Sequence, residues 1–161
     1  MIIVSDTSPV ANLLLIGQLP LLEKLFGEVI IPPAVHKEII ALHDLGNDIT
    51  GYTTSKYIKI IHPKNSGKIA SLLITLDEGE AEAIVLAEEL NARYLLIDER
   101  LGAATANKIG IKTIGLLAVL ISAKERKLID AVKPLITLLR HQGFWMSEKL
   151  ILQVLTAAGE N

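Results

Sequence analysis

The sequence predicts an α/β protein with three layers, α/β/α, built on a central, mostly parallel sheet. Short apolar runs at Ile2-Ile3-Val4, Val29-Ile30-Ile31 and Tyr94-Leu95-Leu96-Ile97 lack polar alternation, the mark of strands buried on both faces. Helical stretches separate these runs, and strand–helix alternation closes into a parallel sheet through right-handed crossovers. Long aliphatic residues dominate the 50% hydrophobic content while aromatics make up 4%, which favours layered α/β packing over an aromatic-rich β-sandwich.

Each element has a local signal. Asp6-Thr7-Ser8-Pro9 ends the first strand; Ser8 as N-cap and Pro9 at the first helical position predict a helix through Ala11 to Ile16, stopped by Gly17. A second helix begins near Pro20 and stops at Gly27. The strand Glu28–Ile31 meets Pro32-Pro33, which opens a helix with an apolar stripe of Val35, Ile39 and Leu42 and with Glu38 on its flank. His43 to Lys56 is polar and contains glycine, and no element is assigned to it. Tyr57 to Ile61 alternates enough for an edge strand, and a helix follows around Lys68 to Leu73.

Asp77 is a good N-cap for the next helix, Glu78 to Leu90. At about 100° per residue, Ala83, Ile84, Ala87 and Leu90 gather on one arc that should meet a core. Glu78, Glu82 and Glu89 fall on the other side, which reads as solvated, and Val85 projects from that acidic face. The strand Tyr94–Ile97, a helix near Ala103 to Ile109, the strand Lys112–Ile114 and a helix from Leu116 to Lys127 come next. Asp130 is expected to cap a helix ending by Gly143, and Ser147 to cap the last one. No repeat or linker interrupts the chain, so residues 1–161 read as one domain.

Composition removes several classes of function. Without cysteine there are neither disulfides nor thiolate metal sites. No apolar run approaches about 18 residues and MIIVSD lacks a basic leader, so a cytoplasmic, soluble protein with no membrane association is expected. The net charge of −2 and a pI near 6.1 give no general attraction to nucleic acid; a local basic patch or metal ions would have to supply it. His36, His43, His62 and His141 lack metal-ligand spacing and read as surface residues. Lys56, Lys59, Lys64 and Lys68 read first as a solvated face, and Phe144 and Trp145 as anchors in a core or an interface.

The acids carry the chemistry. Glu80 lands near the middle of the apolar arc, at a helix N-terminus, where an unpaired carboxylate costs several kcal/mol. Asp6 follows the first strand, Glu38 lies in the helix after the second, and Asp98 ends the strand Tyr94–Ile97. Ligands in open parallel sheets bind at the carboxyl ends of the strands, so all four acids belong to one edge. Clustered carboxylates raise each other's pKa unless cations fill the gap. Hard oxygen donors without His or Cys suit Mg²⁺ or Mn²⁺, ions that can activate water and clamp a scissile phosphate.

Four motifs in order, Ser5–Pro9 (SDTSP), Ile31–Ile39 (IPPAVHKEI), Gly79–Ile84 (GEAEAI) and Leu95–Glu99 (LLIDE), make the chain resemble the PIN-domain family. That family comprises metal-dependent ribonucleases, VapC-type toxins among them, and the likeness is greatest to a branch of uncharacterised prokaryotic proteins. The resemblance covers essentially the whole chain, to the closing helix in GFWMSEKLILQVLTAAGE. It implies a PIN-like α/β/α fold and an acidic quartet of Asp6, Glu38, Glu80 and Asp98. Asp6, Glu80 and Asp98 would hold Mg²⁺ or Mn²⁺, Glu38 would complete the shell or orient water, and Ser8 and Glu99 would stand nearby. It also implies an RNA substrate, a small antitoxin protein as partner, and a homodimer. The branch usually carries an arginine shortly after its last acid; Ala103 stands there in this chain, with Arg100 as the neighbouring guanidinium. Two other readings are a non-catalytic PIN-like module that binds RNA or protein, and an aspartyl-phosphate phosphatase or receiver-like domain using Asp6. The phosphatases want a second Asp two positions on, where this chain has Ser8.

Overall fold

A computed structural model describes residues 1–161. In chain order the elements are β1 (Ile3–Ser5), α1 (Thr7–Leu15), α2 (Leu21–Phe26), β2 (Val29–Ile31), α3 (Pro33–Asp44), α4 (Thr50–Thr53), β3 (Ile58–Ile60) and α5 (Ser66–Leu72). They continue with α6 (Glu78–Glu89), β4 (Tyr94–Leu96), α7 (Arg100–Lys108), β5 (Thr113–Ile114), α8 (Leu116–Glu125), α9 (Lys133–His141) and α10 (Glu148–Ala157). The five strands run parallel in the order β3-β2-β1-β4-β5. This is the three-layer architecture expected from the apolar runs.

Strand side chains alternate between two cores, which is why those runs have no polar positions. Ile3, Val29, Ile31 and Leu96 enter the larger core with residues of α1, α2, α8, α9 and α10. Val4, Ile30, Leu95 and Ile97 enter the smaller one with Leu76, Ile84, Leu86 and Ala106. Both faces are therefore covered, as a parallel sheet requires. No helix is long and apolar enough to cross a membrane.

Several local expectations are corrected. α1 starts at Thr7, with Asp6 rather than Ser8 in the N-cap position, because Asp6 keeps extended dihedrals (φ −75°, ψ 175°) while its amide still pairs with the Leu96 carbonyl at 2.8 Å. The region from His43 to Lys56 contains the short α4, anchored by buried Tyr52, whose hydroxyl lies 2.6 Å from Nδ1 of half-buried His36. That histidine is an inward partner and not a surface residue.

The central helix α6 departs most from a two-faced reading. It lies against α3, α5, α7, β1 and β4, and its Gly79, Ala81, Ala83 and Ala87 let these neighbours approach closely on nearly every side. Val85 is only 1% exposed and so gives no support to a homodimer. Glu82 is half-buried, and its Oε1 accepts the Ala34 amide of the first turn of α3 at 3.1 Å. There it satisfies a donor that the helix cannot, and its charge suits the positive end of the helix dipole.

Asp130 does not cap α9. Glu160 does so from the other end of the region, accepting the amides of Val132 (2.7 Å) and Lys133 (3.1 Å) and pairing with Lys124 at 2.9 Å. Ser147 caps α10 as expected, accepting the Leu150 amide. Glu160→Ala should lower unfolding free energy by roughly 1–2 kcal/mol, the usual cost of a lost helix cap. Urea denaturation would measure it; Asp130→Ala should be near neutral, and the reverse pattern would show that the cap has been misassigned.

Candidate functional site

At the carboxyl edge of the sheet an open, acidic cavity of about 340 Å³ is lined by Asp6, Thr7, Ser8, Glu38, Asp77, Glu80 and Glu99, with Leu76 and Leu101 as its apolar wall. Each acid arrives by a separate backbone device. Asp6 is the first residue beyond β1, 5% exposed, and although it occupies an N-cap position its side chain makes no capping bond. Its carboxylate therefore remains available to the cavity.

Glu80 comes from the first turn of α6. Its Oε1 accepts the Asp77 amide at 3.1 Å while Asp77 Oδ1 accepts the Glu80 amide at 2.8 Å, a reciprocal capping box. This gives Glu80 a structural role that the helix phase alone did not reveal, although the Asp-x-x-Glu spacing of Asp77 and Glu80 carries the signal. The box uses only one oxygen. Oε2 is buried without a hydrogen-bond partner, in a protein whose other buried side-chain oxygens and nitrogens are satisfied.

Glycines make room for these acids. A Cβ at Gly102 would stand 2.9 Å from Glu80 Oε2 and 2.7 Å from Ile97 Cδ1, so α7 can close over Glu80 only because that residue has no side chain. A Cβ at Gly79 would lie 2.9 Å from Glu38 Oε1. Glu38 projects from α3 at the cavity rim, where it accepts a short hydrogen bond from the Thr7 hydroxyl. Glu99 lies in the N-cap position of α7, again without a side-chain cap.

Asp98 stands apart from this group. Its Oδ1 accepts the Leu116 amide at 2.7 Å, at the start of α8, and its Oδ2 accepts the Ser8 hydroxyl at 3.1 Å. It does not line the cavity, but Ser8 does, and so links the two. Ser8 in turn accepts from Asn12 Nδ2 at 3.0 Å. Thr7 and Asp77 also line the site, and the sequence marks them only by the hydroxyl next to Asp6 and by the capping position.

Electrostatics follow from burial. Asp6 is pushed up to about 7, chiefly by burial; the Thr7 backbone amide offsets part of this, and the charges of Glu80, Asp77 and Glu38 add to it. Glu80 is also raised to about 7, by burial first, with Asp77 and Glu99 contributing repulsion and the Asp77 amide opposing it. Glu38 is held above its ordinary value by burial of its carboxylate against the relief given by Thr7. Asp98 is raised by burial, partly offset by Leu116 and Ser8.

The donors are hard carboxylate and hydroxyl oxygens, and an unpartnered buried carboxylate oxygen calls for a cation or a proton. No three His, Cys, Asp or Glu side chains stand close enough, as arranged, to hold one ion together. Mg²⁺ does not need three, because it commonly binds through one or two carboxylates and retains water. Asp6 and Glu80, which line the same cavity, are donors of that kind.

Residues 2–160 match a family model described as a PIN domain. No curated protein matches the chain significantly.

Between about pH 4 and 7 the folded protein keeps protons on Asp6 and Glu80 that the unfolded chain releases, so without divalent ions stability should fall as pH rises through that window. Denaturation across this range should show a shallower fall in Glu80→Gln; equal slopes would refute the raised pKa of Glu80. Glutamine also preserves the capping box, so Glu80→Gln should unfold no more easily than wild type at pH 7. By contrast, Glu82→Ala should cost about 1 kcal/mol, because the Ala34 amide loses its acceptor.

Proposed function

The chain belongs to the PIN-domain family, a family of nucleases, and we propose that it is a metal-dependent endoribonuclease that cuts RNA phosphodiesters in its acidic cavity. The observation that carries this reading is the pair Asp6 and Glu80. They are 5% and 6% exposed and line one cavity, and one Glu80 oxygen is left without a protein partner. The capping box occupies only one oxygen of Glu80, which leaves the other for a cation.

PIN domains typically use divalent ions, and here Asp6 and Glu80 would hold Mg²⁺ or Mn²⁺, with Glu38 and Glu99 at the rim. When bound, the ion supplies positive charge against the phosphate and acidifies nearby water. The chain's residues do the rest. Glu38, oriented by the Thr7 hydroxyl, takes the proton from the attacking water; the water oxygen bonds to phosphorus as the P–O ester bond on the opposite side breaks, and the leaving oxygen keeps the electron pair and takes a proton from solvent. Its raised pKa makes it a stronger base than an ordinary carboxylate. Asp98 acts through Ser8, fixing that hydroxyl at the cavity wall and joining the start of α8 to the site.

The cavity's own charge repels RNA, so cations at its margin are needed to seat the phosphates. Lys37 beside Glu38 and Arg100 beside Glu99 are exposed and form no ion pair, which leaves both free to meet a backbone. Arg100 supplies a guanidinium near the position where Ala103 replaces the family's usual arginine. The further reading, a toxin with a small antitoxin partner, rests on the motif resemblance. Growth arrest on induction, relieved by the product of a neighbouring reading frame, would test it.

Asp6→Asn and Glu80→Gln should each abolish cleavage of a mixed RNA pool in Mg²⁺ or Mn²⁺ while remaining folded. For an ion that binds only the folded state, a concentration a hundred times its dissociation constant contributes about 2.7 kcal/mol. Wild type should therefore melt higher in the metal than in EDTA, and both variants should lose that increment. Metal-independent melting together with intact RNA would favour the non-catalytic module instead.

A further inference from the structure

Outside the acidic cavity, the outer edge of β3 has open hydrogen-bonding capacity and no partner. β3 ends the sheet and pairs only with β2. Tyr57 C=O accepts the Val29 amide at 2.9 Å, and the Ile61 amide donates to Ile31 C=O at 3.1 Å. In a parallel ladder this directs the odd-numbered residues toward β2 and leaves the N–H and C=O groups of Ile58 and Ile60 facing outward.

Apolar recesses flank that edge on both faces of the sheet. Ile58 and Ile60 border a groove of about 230 Å³ shared with Ile40 and Tyr52. Ile61 borders another, of about 510 Å³, shared with Leu86 and Leu90. Ile40, Ile60 and Ile61 are 37%, 43% and 37% exposed. Alternate side chains of an added strand point to opposite faces, so both recesses would be filled by one extended segment.

Charge selects the occupant. From Ile49 to Leu76 the chain contains no Asp or Glu, although its net charge is −2. Lys68 is paired with Glu88, while Lys56, Lys59 and Lys64 have no ion-pair partner. Glu89, the acid bordering the second groove, is engaged with the amides of Lys64 and Asn65. A second copy of this edge would bring lysines against lysines, a known deterrent to self-pairing.

We propose that the outer edge of β3 binds an extended peptide segment of a partner protein, apolar at its centre and acidic at its ends, as a sixth strand of the sheet. The Ile58 and Ile60 backbone groups would supply the ladder, and Lys56, Lys59 and Lys64 the polarity. This surface is independent of the catalytic reading.

The probe is the synthetic peptide acetyl-Glu-Asp-Val-Thr-Val-Ile-Glu-Asp-amide, added to the full-length protein and followed by amide hydrogen exchange. The amides of Ile58 and Ile60 should gain protection on binding while that of Lys59 changes little, and added salt should weaken the complex. Lys56→Glu combined with Lys59→Glu should weaken binding about tenfold or more. Ile60→Pro should abolish it by removing an outward donor; if that variant fails to fold, the lysine pair decides. The proposal is overturned by unchanged exchange at Ile58 and Ile60 at millimolar peptide, or by equal binding of the same peptide with lysines in place of its acids. It is also overturned if single-stranded RNA protects these residues and the acidic peptide does not, or if sedimentation shows the edge already closed by a second copy.

Discussion

The reciprocal cap between Asp77 and Glu80 governs the site. It orders the first turn of α6, and in doing so commits one oxygen of Glu80 to the Asp77 amide and leaves the other, beside Gly102, without a protein partner. Helix start and acidic cavity are thus one construction. Asp6, held at the end of β1 by its backbone bond to Leu96, enters the same cavity from the sheet. Each acid has been taken out of water by an element that would form for its own local reasons.

The cost of that arrangement is electrostatic. Burial raises Asp6 and Glu80 far above ordinary carboxylates, and repulsion from neighbouring acids, Glu80 and Asp77 on Asp6 and Asp77 and Glu99 on Glu80, reinforces the effect. A group of this kind destabilises the fold when ionised and is relieved by a proton or a cation. The same property makes it useful to a nuclease, since the phosphate it must approach is also anionic. Rigid neighbours sustain the strain: α6 is enclosed by α3, α5, α7 and two central strands, and Glu82 secures the start of α3 beside Glu38.

Much of this was legible in sequence because strands buried on both faces have few alternatives. The runs at β1, β2 and β4 lie where their composition placed them, and Tyr57–Ile61 contains the edge strand. Helical phase sufficed to turn Glu80 inward. It failed for Glu82 and Val85, because periodicity gives directions around a helix but not how many neighbours cover it. Small residues at Gly79, Ala81, Ala83 and Ala87 were the available clue that α6 is enclosed. The start of α1 slipped because Ser-Pro is a strong local signal, whereas Asp6 is held extended by a sheet contact with Leu96. The cap of α9 was out of reach for a similar reason: Glu160 lies far along the chain from Val132. Asp98 lies just beyond β4, which ends at Leu96, and its side chain answers to Ser8 and Leu116, partners that only the assembled fold brings within reach.

The central claim is that Asp6 and Glu80 are buried acids held for a divalent cation, and ¹³C NMR titration of their side-chain carboxyls tests it most directly. Without divalent ions both should titrate near 7, well above the ordinary 3.8 and 4.5 of free aspartate and glutamate, and saturating Mg²⁺ should drive both sharply downward as the ion displaces the proton. Ordinary carboxylate midpoints in the metal-free protein, or midpoints near 7 that Mg²⁺ leaves unmoved, would contradict it.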